Sequence, residues 1–99
     1  MRVISRKALR QFWEVHRRAE ASLQAWYKVA AGARWADFAQ LRESFPNADQ
    51  VGRLVVFNIA GDRFRLIARV EYKWQKVFVR QVLTHDEYDK EGWKRDAWL

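Results

Sequence analysis

At residue 53 the apolar residues change their spacing, from three and four apart to every second position. Each period buries one face of one kind of element, so the chain is committed to helices first and strands afterwards. Leu9, Phe12, Trp13 and His16 form one helical stripe, and Ser5 is suited to cap it. Leu23, Trp26, Tyr27 and Ala30 form a second stripe that stops at Gly32, where a left-handed C-cap is expected. A shorter helix carrying Trp35, Phe38 and Leu41 should end before Phe45-Pro46, since proline disfavours helix in the residue ahead of it. Residues 47–52 read as a loop.

The alternating half divides into strands at 53–59, 63–72 and 76–83, joined by short Gly-containing or polar links that signal hairpins. Val3-Ile4 is a candidate short strand at the other end of the sheet. Thr84 and Glu87 have capping-box spacing, so a short helix should start directly off the last strand. Trp93 to Leu99 shows no period. The expected architecture is α+β in a single domain, residues 1–99: an N-terminal helical hairpin packed on a small antiparallel sheet, then a short C-terminal helix. The chain is 49% apolar and 15% aromatic, enough to fill one such core. The hairpin covers one sheet face and leaves the other free.

Charge bears on what that free face does. Nineteen Lys and Arg against twelve Asp and Glu give a net +7, which favours polyanionic partners, nucleic acid above all. Alternation sorts Phe64, Leu66, Ala68, Val70 and Tyr72 from Arg63, Arg65, Ile67, Arg69 and Glu71. In the third strand it sorts Val77, Val79, Gln81 and Leu83 from Lys76, Phe78, Arg80 and Val82. Residues 53–80 carry seven basic side chains and only Asp62 and Glu71 as acids. Like charges facing one another across a sheet are unfavourable, so such a face is expected to gain an anionic ligand; a merely solvated face is the bland alternative. His85 and Tyr88, three apart on the short helix, would stand beside it with an imidazole and a phenol able to move protons.

Several chemistries lack their residues. There is no cysteine, which excludes disulfides, Cys-ligated zinc and thiol catalysis. No nucleophile elbow surrounds a serine, and no glycine loop suits a nucleotide. Asp86, Glu87 and Asp89 fit a first helical turn better than a metal site, so neither metal nor cofactor is expected. No apolar run reaches membrane-span length and no signal peptide is evident, giving a cytoplasmic expectation without membrane association. His16 reads as a core or boundary residue, and Trp74 as a turn residue resting against the tail.

The ordered blocks Val56-Phe57-Asn58-Ile59-Ala60-Gly61, Arg65-Leu66-Ile67-Ala68, Gln75-Lys76-Val77 with Val79-Arg80, and Leu83-Thr84-His85-Asp86-Glu87-Tyr88-Asp89-Lys90 resemble the HigB family of the RelE-like group. Ser5-Arg6-Lys7-Ala8-Leu9 and the Phe45-Pro46 turn with Asp49 extend the resemblance over nearly the whole chain. It implies a RelE-like fold and the toxin of a type II toxin–antitoxin system, an endoribonuclease (mRNA interferase) acting in most such toxins on the ribosome. The implied partners are mRNA, the ribosome and a HigA-type helix-turn-helix antitoxin, with operator DNA bound only through the antitoxin complex. Carried over by position, the catalytic candidates are Arg65, Lys76, Arg80, His85 and Tyr88, and Asn58 contacts RNA. Arg63, Arg69 and Lys73 join Asn58 as RNA-binding candidates on the basic face. The alternative is a non-catalytic RNA- or ribosome-binding module using the same face. A basic amphipathic helix at a membrane surface is weaker, because Glu14 and His16 interrupt its pattern.

Overall fold

The change of period marks the division between helices and strands in the computed structural model, which describes residues 1–99. A short strand β1 (Arg2–Ile4) leads into α1 (Arg6–Val15), capped by Ser5, whose hydroxyl accepts from the Ala8 N–H. A single 3-10 turn (Arg17–Ala19) joins α1 to α2 (Glu20–Gly32), completing the helical hairpin. Helix α2 does end at Gly32, but Ala33 follows in extended conformation (φ −86°), so the expected left-handed cap is absent. Asp37 caps α3 (Phe38–Ser44), which stops ahead of Pro46.

Residues 49–51, expected to be loop, form strand β2 (Asp49–Val51), which turns through Gly52 onto β3 (Leu54–Ile59). Strands β4 (Phe64–Glu71) and β5 (Lys76–Thr84) complete the meander. The sheet order is β1-β5-β4-β3-β2, antiparallel except at β1, which pairs parallel with the start of β5. The sheet is therefore mixed rather than wholly antiparallel. Thr84 closes the expected capping box with Glu87 and starts α4 (His85–Asp89).

One sheet face carries the main core. Leu9, Leu23, Trp26 and Ala30 of the hairpin pack on Phe57, Leu66, Ala68 and Val77. Phe45 wedges between Trp35 and Phe57, its ring 5.8 Å and 5.1 Å from theirs, edge to face.

The other face is not free. Leu54, Val56 and Ile67 form a second buried cluster with Trp93, and Leu83, Tyr88, Trp98 and Leu99 pack around it. The aperiodic tail, with a 3-10 turn at Gly92–Arg95, is the cover. Its end is fitted to the β2–β3 turn: the Arg53 N–H donates to the Leu99 carbonyl at 3.1 Å. A Cβ on Gly52, at φ +59°, would lie 2.9 Å from that same oxygen.

A β-bulge alters which residues face the tail. Ile67 pairs with Gln81 and Ala68 with Val79, leaving Arg80 without a partner. One extra residue reverses the alternation beyond it. Val82 accordingly joins the helix-side core with Val77 and Val79, and Leu83 joins the tail-side cluster, opposite to strict alternation.

Candidate active site

The end of β5, the start of α4 and the first residues of β4 meet at one end of the sheet. The His85 N–H donates to the Arg63 carbonyl, tying the new helix to the β3–β4 link at 3.0 Å. Glu87 accepts from the Thr84 N–H at 2.9 Å, and that bond, ahead of other causes, holds its carboxyl below the usual range. The first turn of α4 is thus fixed by its own cap, and His85 is held by its neighbours rather than by burial.

Arg65 reaches across this corner. Its guanidinium carbon stands 5.1 Å from the centre of the Tyr88 ring. Its Nη1 donates to the Asp62 carbonyl at 2.6 Å, which helps to orient the fork. Beneath, Tyr88 stacks on Trp93 with ring centres 5.2 Å apart, and the Trp93 indole N–H donates to the Tyr88 carbonyl. His85 remains 49% exposed, with Nε2 3.2 Å from an Asp89 carboxylate oxygen that steadies the ring. Asn58 pairs opposite Arg65 across β3 and β4. Asn58, Arg63, Arg65, His85 and Tyr88 therefore share one corner, with an exposed imidazole, a phenol and an oriented guanidinium among them. No three His, Asp or Glu side chains converge on one point there.

The remaining candidates lie elsewhere. Lys76 begins β5 and His85 follows its end; at about 3.3 Å per residue they are roughly 25 to 30 Å apart. Lys76 therefore does not join His85, and strand direction is the reason. It stands beside Glu71 in register, near Lys73 and Arg69, whose Nε pairs with Glu71 at 3.0 Å. Trp74 is 66% exposed, with the Lys73 ammonium 5.2 Å from its ring, so it does not rest against the tail.

Arg80 occupies the bulge between these two regions, and one edge of its guanidinium is engaged. Its Nε and Nη2 donate to the two Asp96 oxygens at 2.8 Å and 3.1 Å, and the Trp98 ring covers its guanidinium carbon at 4.0 Å. Asp96 and Trp98 lie in the stretch that offered no periodicity, so nothing local in the sequence pointed to them. His16, half-buried, stacks on Phe12 at 4.4 Å.

A family model described as HigB_toxin, RelE-like toxic component of a toxin-antitoxin system, matches residues 19–91. Among relatives, the mRNA interferase toxin HigB of Escherichia coli strain K12 is 33% identical over 92 residues, 90% of this chain and 88% of that protein. The mRNA interferase HigB of Shigella flexneri matches to the same extent. That of Escherichia coli O6:H1 is 25% identical over 93 residues, 91% of this chain and 90% of its own. With an α+β fold of the RelE-like kind and a match over most of its length, this chain belongs to the HigB family of toxins from toxin–antitoxin systems.

Proposed function

We propose that the protein is an mRNA interferase that cleaves RNA by attack of a ribose 2′-OH on the adjacent phosphate, at the corner formed by Arg65, His85 and Tyr88. The 2′-oxygen bonds to phosphorus as the bond to the 5′-oxygen breaks. The products are a 2′,3′-cyclic phosphate and a free 5′-OH. One proton must leave the attacking hydroxyl and one must reach the departing oxygen. His85, half exposed and steadied by Asp89, is suited to that transfer, and Tyr88, under the Arg65 guanidinium, orients the RNA or shares in it. Arg65 holds the phosphate and meets its developing charge, a task for which a planar fork is apt. The observation carrying this reading is the placement of a steadied imidazole and an oriented guanidinium at one solvent-open corner.

Asn58 and Arg63 extend RNA contact around the corner, while Arg69, Lys73 and Lys76 form a separate basic strip for a more distant stretch of backbone. In the cell the activity belongs in the cytoplasm on the translating ribosome. A HigA-type helix-turn-helix antitoxin neutralises it, and operator DNA is met only through that complex. The antitoxin partner follows from the family itself.

The test is inducible expression in a bacterial host of the wild type and His85→Ala, with growth followed and mRNA 5′ ends mapped. Arrest with new internal ends for the wild type, both lost in a soluble variant, supports the nuclease. Arrest without new ends, or equal arrest by the variant, supports a non-catalytic RNA- or ribosome-binding module instead.

A further inference from the structure

The structure assigns to Asp96 and Trp98 a role as positioning residues: they form a bracket that aims Arg80 at a phosphate of the bound RNA. The inference rests on the proposed nuclease reading and goes beyond it, because these two residues lie outside every motif that pointed to the site.

The geometry is that of a held side chain. As the extra residue of a β-bulge, Arg80 is turned out of the ladder, a device that re-aims side chains. Asp96 takes the side-on edge of the guanidinium through Nε and Nη2. Trp98 closes one face, and its own ring is held edge-on by Phe78 at 5.4 Å. The Trp98 N–H in turn donates to Asp96 Oδ1 at 2.8 Å, so the carboxylate is oriented as well. Asp96 is 4% exposed whereas Arg80 is 32% exposed. A guanidinium has five N–H donors. Asp96 uses one from Nε and one from Nη2, which leaves the end-on pair of Nη1 and Nη2 without a partner within the protein. That end-on edge is itself a bidentate match for phosphate oxygens. A bracket that spends one edge and leaves the other open orients the arginine instead of blocking it.

The experiment compares Arg80→Ala, Asp96→Asn, Asp96→Glu and Trp98→Leu with the wild type. Single-turnover cleavage of labelled mRNA, free and on programmed ribosomes, gives the maximal rate and the half-saturating toxin concentration, and melting is followed on every preparation. Arg80→Ala should lower the maximal rate by about a hundredfold. Asp96→Asn turns an amide N–H₂ towards one guanidinium donor, and should lower the rate about tenfold at an almost unchanged half-saturating concentration. Asp96→Glu, which keeps the charge, should recover most of that loss, and Trp98→Leu should lose a few-fold. The bracket is overturned if Arg80→Ala is impaired while Asp96→Asn and Trp98→Leu cleave as fast as the wild type or faster. It is equally overturned if their rates fall only in step with melting temperature. Full activity in Arg80→Ala overturns it by removing Arg80 from the chemistry, and leaves Arg65 and His85 to stand on their own test.

Discussion

Replacing Trp93 by alanine should cost the protein a large part of its stability, although the residue lies only six before Leu99. Trp93 is 3% exposed, between the sheet and the tail, against Leu54, Val56 and Ile67. A tryptophan that buries about 200 Å² at about 25 cal/mol per Å² contributes on the order of 5 kcal/mol before entropy is subtracted. The variant also removes the indole N–H from the Tyr88 carbonyl and the stacked partner from the Tyr88 ring. Buried Trp→Ala changes cost about 3–5 kcal/mol, and at about 4 °C or more per kcal/mol for a domain of this size the midpoint should fall by at least about 12 °C. The substitution is best made in a His85→Ala background, so that a host tolerates expression; His85 is half exposed and carries little of the fold. Thermal unfolding by circular dichroism reads the shift. A fall of less than about 4 °C, under 1 kcal/mol on the same scale, would mean that the tail does not pack on the sheet, and the second core would have to be abandoned.

Other consequences follow from the same contacts. Gly52→Ala places a Cβ at a left-handed position and 2.9 Å from the Leu99 carbonyl, so urea denaturation should show a loss of about 1–2 kcal/mol; an unchanged midpoint would contradict the fit of tail to turn. Thr84→Ala removes the hydroxyl that accepts from the Glu87 N–H and should cost about 1 kcal/mol, with α4 amides exchanging faster, whereas unchanged exchange would deny the cap its role. Two carboxyls set an acid limb. Hydrogen bonds from Arg80 to Asp96 and from the Thr84 N–H to Glu87 hold both groups below their ordinary values of 3.8 and 4.5. A folded-state pKa below the unfolded one stabilises above the unfolded value and is lost as pH falls through the folded one. Stability should thus be level with respect to these groups down to about pH 4.5 and decline below it, and Asp96→Asn with Glu87→Gln should flatten that limb. An acid limb unchanged in the double variant would refute the assignment.

Much of this fold was legible because its helices and strands each bury one face. The stripes through Leu9 and Trp26, the three long strands and the Thr84–Glu87 cap are local patterns, and the sequence displays them directly. Three features escaped for physical reasons. The bulge at Arg80 adds one residue without a compositional mark, so strict alternation put Val82 and Leu83 on the wrong faces. Trp93 and Trp98 cover a sheet through a 3-10 turn and extended chain, which have no amphipathic period to detect. Lys76 looked close to His85 through a family pattern that says nothing about distance, yet a strand carries its two ends far apart. That His85 and Tyr88 stand near Arg65 was legible because the Thr84–Glu87 cap starts α4 directly off β5, whose end pairs with the start of β4.

The measurement closest to the central claim asks which oxygen attacks. Once a cleavage position is mapped, the same mRNA is prepared with a single 2′-deoxy nucleotide on the 5′ side of the scissile phosphate. The proposed mechanism predicts no cleavage there, while the unmodified RNA yields a 5′-OH that a kinase can phosphorylate without prior phosphatase treatment. Cleavage of the 2′-deoxy substrate at the normal rate, or a 5′-phosphate on the product, would mean that water attacks, and the roles given to Arg65, His85 and Tyr88 would have to be assigned anew.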